Sequence, residues 1–217
     1  MDNINLVNNK EFSVKNTSKD LGVYWNSSLT PEHHVDEICR RACGILGLIF
    51  RVSRNGFSIT TLTTLYKTLL RPILEYASVV WKPYHDIYVS RLQRIQRRFA
   101  RMMGVRCGYN YRDVPVEELE SLLNLHTLAK RRDVADLAFL LKLINGKIDS
   151  PQLLEKLLFR VPGSTRSTDV FFRAQYRTNY LGNSPMIRLQ RLGNEFSTHV
   201  DLYSDSLASL KHKILHV

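Results

Sequence analysis

Apolar residues follow two different rhythms along this chain. From Ile4 to about residue 29 they come in short clusters between turn residues, and from Val35 onward they recur at helical spacing. Ile4, Leu6 and Val7 lead to the turn pair Asn8-Asn9, and Phe12 to Val14 suits a return strand. Leu21-Gly22-Val23-Tyr24-Trp25 is β-branched and aromatic, which predicts a further strand in a small antiparallel element. Such an element needs a neighbour to be stable. Thr30-Pro31-Glu32 reads as a helix start, with Thr as cap and Pro at the first helical position. Val35, Ile38, Ala42, Ile45 and Ile49 then form one core-facing stripe.

Gly56 and Ser58 mark a break, after which Leu62, Leu65, Tyr66 and Leu69 predict a second helix that Pro72 must kink, because proline lacks an amide donor. Ile73 to Trp81 is almost wholly apolar, so this run is expected at the centre of a bundle with Tyr76 and Trp81 buried. Over residues 85–103, at roughly 100° per residue, Leu92, Ile95, Phe99, Met102 and Met103 share one face, while Arg91, Arg94, Arg97, Arg98 and Arg101 share another. Pro115 opens a short acidic helix ending near Leu125, and Val134, Leu137, Leu141 and Ile144 mark a long one closed by Asn145-Gly146. Ser150-Pro151 starts a helix to about Phe159, residues 162–183 lack any period, and short helices are expected near 185–196 and 205–215. The pattern predicts a mainly α protein, a helical bundle with a small amino-terminal antiparallel β element. Residues 1–29 are expected to carry that element, 30–160 the bundle, and 161–217 an irregular Arg-rich extension with short helices.

Charge adds a functional hint. The chain carries 31 Lys+Arg against 20 Asp+Glu, and twenty of the basic residues are Arg, whose planar fork suits phosphate. Between Arg91 and Arg112 lie seven Arg and no acid, whereas Asp113 to Glu120 holds four acids and no base. Arg91, Arg94, Arg97, Arg98, Arg101, Arg106 and Arg112, with Tyr109 and Tyr111 beside them, are therefore the candidate nucleic-acid-binding residues, cations for phosphates and rings for bases. The competing reading is a solvated basic face that pairs with Glu117, Glu118 and Glu120. Three cysteines and a start without a basic, then apolar, leader suggest an intracellular protein of the cytoplasm or nucleus. No apolar run approaches the roughly 20 residues of a membrane span, so no membrane partner is expected.

Catalytic chemistry finds little support. Two-metal nucleotidyl transfer needs converging carboxylates, yet no Asp-Asp pair occurs, and the adjacent acids Asp36-Glu37 and Glu117-Glu118 suit the first turns of helices. Neither GxGxxG nor GxxxxGK is present. His33, His34, Cys39 and Cys43 lack the second ligand pair of a structural zinc site, so they read as packing residues. Cys107 has no His or acid nearby in sequence to make it a nucleophile. No metal and no cofactor are expected.

Several phrases in order resemble one family. Lys19-Asp20-Leu21-Gly22-Val23, His34-Val35, Leu46-Gly47, Leu65-Tyr66, the run Leu70-Arg71-Pro72-Ile73-Leu74-Glu75-Tyr76-Ala77-Ser78-Val79-Val80-Trp81-Lys82-Pro83 and Gln96-Arg97-Arg98-Phe99 are similar to the region after the polymerase palm in jockey-type non-LTR retrotransposon reverse transcriptases. The likeness continues through Arg131-Arg132-Asp133, Asn145-Gly146-Lys147-Ile148-Asp149 and Arg177-Thr178-Asn179-Tyr180, and covers about residues 4–190. The resemblance implies a primer-grip-like role for Leu21, Gly22 and Val23 and a thumb-like role for the arginine helix, which would hold RNA or an RNA/DNA duplex. It also implies that the chain corresponds to the carboxy-terminal third of such a polymerase. The fingers, the palm with its paired aspartates and the endonuclease have no counterpart here, so the chain is expected not to be an enzyme on its own. The missing polymerase portion becomes a candidate partner. Asn26 stands where the family usually carries Asp. A helical protein-interaction module and a non-functional relic are the alternative readings.

Overall fold

The computed structural model describes residues 4–7, 10–13, 17–161 and 169–216. It is mainly helical, with two antiparallel hairpins at its start: β1 (Ile4–Val7) pairs with β2 (Lys10–Ser13), and β3 (Thr17–Asp20) with β4 (Val23–Asn26). The expected Asn8-Asn9 turn and the end of the return strand at Val14 lie outside the described residues. Leu21 and Gly22 do not continue a strand. They form the two-residue turn of the second hairpin, with φ of 44° and 87°. Two successive positive φ values match the twist of a tight hairpin, and Leu21 adopts one although it has a Cβ. Leu21 is accordingly exposed, while Val23 is buried. The Tyr76 hydroxyl donates to the Leu21 carbonyl at 3.0 Å, so a turn that strains its own backbone is held from outside.

The long α1 (Glu32–Ser53) buries Val35, Ile38, Ala42 and Ile49 on the expected stripe. Thr30 is not its cap. Asn26 takes the Thr30 side chain, donating to its hydroxyl at 2.7 Å and accepting from its amide at 2.8 Å, a double role that an aspartate could not fill. The Ser58 hydroxyl caps α2 (Ile59–Leu65) by accepting from the Thr61 amide at 3.1 Å. The helix then widens into a π-helical turn over Tyr66–Leu70 before α3 (Arg71–Glu75), where Pro72 has no amide to close the α-helical ladder.

The apolar run Ile73 to Trp81 is not one helix. Ala77 takes a left-handed φ of 51°, and α4 (Ser78–Trp81) starts afresh. The break turns Tyr76 outward at 58% exposure and leaves Trp81 in the core at 4%, so only one of the two aromatics is buried as expected. Next come α5 (Asp86–Arg106), α6 (Val116–Leu122) and α7 (Leu128–Ile144), the last ending at Asn145 with Gly146 at positive φ. The helix expected to reach Phe159 ends early, as α8 (Pro151–Leu154); Phe159 instead forms a β-bridge with Phe171. After Val161 the described chain is irregular until the short α9 (Asn179–Gly182), α10 (Pro185–Glu195) and α11 (Leu207–His216); residues 162–168 of the expected irregular stretch are outside the description.

Two hydrophobic cores result. One joins α1 through α5 to Leu125 and Leu128, and the other joins α7 to Leu157, Phe171 and the helices α10 and α11. Helix α7 enters both. Between them lies the carboxylate of Asp136, fully buried. It accepts from Lys82 Nζ at 2.8 Å and from Arg188 Nε at 3.0 Å, while Arg188 also donates to the Val79 carbonyl at 2.6 Å. Removing one partner of such a cluster leaves charges without compensation. Asp136→Ala is therefore expected to cost about 3–5 kcal/mol, read as a lower urea midpoint.

His34 is a second buried polar group. Its Nδ1 accepts from the Tyr24 amide at 3.4 Å and its ring meets Trp81 edge-on, which ties β4 to the bundle. Burial, reinforced by the Arg41 charge, lowers its pKa to about 4. Between the unfolded value near 6.5 and about 4, the unfolded chain binds a proton that the folded one refuses, so stability is full above pH 6.5 and declines as pH falls through this window. The expected loss is up to about 3 kcal/mol. Urea titrations at pH 7 and pH 4.5 check it against His34→Gln, which cannot titrate; equal pH losses in both proteins would assign the effect to other groups.

Candidate nucleic-acid interface

Helix α5 owes its form to the sequence pattern described above: Leu92, Ile95, Phe99 and Met103 are buried, and Phe99 stacks on Tyr66 with ring centroids 4.5 Å apart. Gln96 is also buried. It accepts from the Tyr66 hydroxyl at 2.8 Å and donates to Glu120 Oε1 at 3.2 Å and the His126 carbonyl at 3.2 Å, which fixes α6 and the α6–α7 link against α5. Burial raises the Glu120 pKa, opposed by the hydrogen bonds from the two glutamines Gln96 and Gln93. The end of α5 is set by Gly108 at φ 96° and by the Tyr109 amide reaching back to the Gly104 carbonyl at 3.1 Å. A Cβ at Gly104 would stand 2.4 Å from Val114, so glycine lets the following loop fold back over the helix. That return brings Tyr111 to the arginines.

The arginine face is not uniform. Arg91 turns to Asp36 on α1 and makes an ion pair there. Arg98 Nη1 lies 4.0 Å from Cys43 Sγ, also on α1. Arg106 donates to the carbonyls of Ser53 and Phe57 and so closes the end of α1. The partners advance together, 36 to 43 to 53 against 91 to 98 to 106, which means that α1 and α5 run parallel at nearly constant offset. Arg94, Arg97 and Arg101 point the other way. Arg97 approaches Glu117 at 3.9 Å, a loose pair in which the glutamate side chain is 88% exposed, and the Arg101 guanidinium lies over the Tyr111 ring at 5.7 Å.

These arginines, with Arg98, form one wall of an open groove of about 1000 Å³. The opposite side is built by the α6–α7 link and by α7 and α11, and contributes His126, Lys130 and His216. Burial lowers the His126 pKa, helped by the neighbouring His216. Of the residues expected at the site, Arg94, Arg97, Arg98, Arg101 and Tyr111 line the groove. Arg91 and Arg106 are engaged by α1, and Tyr109 and Arg112 are exposed on the loop after α5. Leu21, Gly22 and Val23 belong to the β3–β4 hairpin and line no part of this groove. His126, Lys130 and His216 escape a reading of the sequence because they come from three separate segments; the basic run Lys130-Arg131-Arg132 is the one local sign.

Among the described residues no three His, Cys, Asp or Glu side chains gather as a metal site, and no helix is long and apolar enough to cross a membrane. No protein-family model matches the chain, and no solved structure matches it. Over 119 residues, 52% of its length, the chain is 29% identical to a probable RNA-directed DNA polymerase from transposon X-element of Drosophila melanogaster. The chain spans 13% of that polymerase. The likeness supports a distant relationship to a retrotransposon reverse transcriptase.

The division of the arginines has a measurable consequence for stability. Hydrogen bonds from a charged donor are worth about 1.5–3 kcal/mol, so Arg106→Gln, which strips two carbonyls of their donor, is expected to destabilise by about that amount. Arg94→Gln should stay within about 0.5 kcal/mol. Chemical denaturation of the two single variants checks the contrast.

Proposed function

We propose that the chain is a non-catalytic, nucleic-acid-binding piece of a jockey-type retrotransposon RNA-directed DNA polymerase, thumb-like in its helical part, which grips RNA or an RNA/DNA duplex by its phosphates. The observation that carries this reading is the set of four arginines from one helix along one wall of a solvent-open groove, with Lys130 across from them and Tyr111 over Arg101. Arginine forks bind phosphate oxygens in pairs, and an exposed tyrosine ring offers a face to an unstacked base. The geometry favours backbone contacts over sequence reading. We place no phosphoryl transfer in this groove: its two carboxylates are Glu117, loosely paired with Arg97, and Glu120, which accepts from Gln93 and Gln96. In such a polymerase the chemistry would belong to another part of the enzyme, which is also a partner that this piece would contact.

Each phosphate contact releases counterions, so log affinity for RNA should fall with log salt at about −0.7 to −0.9 per contact. Replacing Arg94, Arg97 and Arg101 together by Gln is expected to flatten that slope by about two to three units, similarly for RNAs of unrelated sequence. Fluorescence anisotropy across a salt series on both proteins measures this. An unchanged slope in a folded triple variant would mean that the groove is a solvated basic face.

A further inference from the structure

Helix α1 carries a second apolar stripe that the core covers only in part, since Leu46 is half-buried against it while Cys43, Gly47 and Phe50 are exposed. Cys43, Leu46, Gly47 and Phe50 recur at i, i+3, i+4 and i+7, and with Met102 and Val105 of α5 they line an open groove of about 800 Å³. Phe50 and Val105 are each 46% exposed. Because α1 and α5 run parallel at nearly constant offset, their facing residues repeat about every seven positions along the furrow. A third helix fits such a furrow. Gly47 is exposed within this stripe: a Cβ built there has nothing within 4 Å, so an incoming side chain can approach the α1 backbone closely. Glycine in a helix interior costs roughly what any exposed alanine would restore, and here it leaves space for an incoming side chain.

Charge identifies the occupant. The furrow is lined by Arg54, Arg98 and Arg106 and by no acid, and Arg54 lies over the Phe50 ring at 4.9 Å. A second copy docking by the same face would bring the same arginines against these, and the chain as a whole carries +11. Nucleic acid finds more cations and fewer apolar atoms in the neighbouring groove of Arg94, Arg97 and Arg101. We infer that the α1–α5 furrow docks an amphipathic helix of a partner protein, one whose apolar stripe is flanked by Asp or Glu. This site is separate from the proposed nucleic-acid groove, although Arg98 and Tyr111 border both.

The test uses the full chain and a labelled synthetic helix of about 18 residues, roughly five turns, with Leu at i, i+3, i+4 and i+7 and Glu on both flanks. A second peptide carries Lys in place of every Glu. The Glu peptide is expected to bind at least about tenfold more tightly than the Lys peptide. Gly47→Leu adds bulk to this exposed helical face; it should leave the circular dichroism and melting temperature intact while weakening the Glu peptide by about tenfold or more. Replacing Arg94, Arg97 and Arg101 with Gln should leave peptide binding within about twofold, which separates this site from the RNA groove. The inference is overturned if folded Gly47→Leu binds the peptide as well as the parent, or if neither peptide binds. It is equally overturned if sedimentation shows a dimer that Gly47→Leu dissociates, or if Gly47→Leu weakens RNA as much as peptide.

Discussion

The carboxylate of Asp136 is the point on which the two halves of the molecule meet. A fully buried anion is tolerable only when cations and donors surround it, and here Lys82 comes from the end of α4 and Arg188 from α10, more than one hundred residues apart in sequence. Arg188 then reaches the carbonyls of Val79 and Asn183, so that one guanidinium joins the first core to the second. Lys82 also meets Asp133 one turn earlier on α7, at 2.5 Å. Arg132 on the same helix is buried, with its guanidinium 5.7 Å from the Trp81 ring centroid; burial lowers its pKa to about 10, against the opposing pull of Glu75 and the two aspartates. The interface between the cores is thus electrostatic and directional, while each core is apolar and non-directional. Such a joint specifies orientation more than it adds net stability.

From this arrangement follows the presentation of α5. Its apolar face is clamped by Tyr66, Gln96 and the α6–α7 link, and its basic face is divided by the parallel run of α1. Arg91 and Arg106 face α1, Arg94, Arg97 and Arg101 face the open groove, and Arg98 borders both. A single helix therefore forms the ridge between two surfaces of different character. One is basic and polar, suited to phosphates; the other is apolar with a basic border. Spacing along α5 decides the split, because positions 91, 98 and 106 recur at seven and eight residues, about two turns each, and stay beside α1.

Local periodicity made the helices legible. The stripes Val35 to Ile49 and Leu92 to Met103, the break at Gly56 and Ser58, the Asn145-Gly146 stop and the kink near Pro72 depend on neighbours within a few residues, and they stand where the pattern puts them. The same local logic misjudged Thr30, whose hydroxyl is taken by Asn26, and the run Ile73 to Trp81, where near-continuous apolarity concealed a left-handed residue at Ala77. Tyr76 is exposed because its ring supports a hairpin turn over fifty residues away.

By itself the sequence determined the class of fold, the basic face of α5 and the likeness to a retrotransposon polymerase, because helical period, charge runs and ordered motifs are properties of adjacent residues. Tertiary structure alone decided which arginines are committed to carbonyls and carboxylates and which line a groove. It also decided that Lys130, His126 and His216 stand opposite them, and that Cys43, Gly47 and Phe50 border an open furrow beside the core. The physical reason is the same in each case: a side chain's partner is set by the packing of helices whose contacts are fifty or more residues apart, and no local pattern encodes that distance.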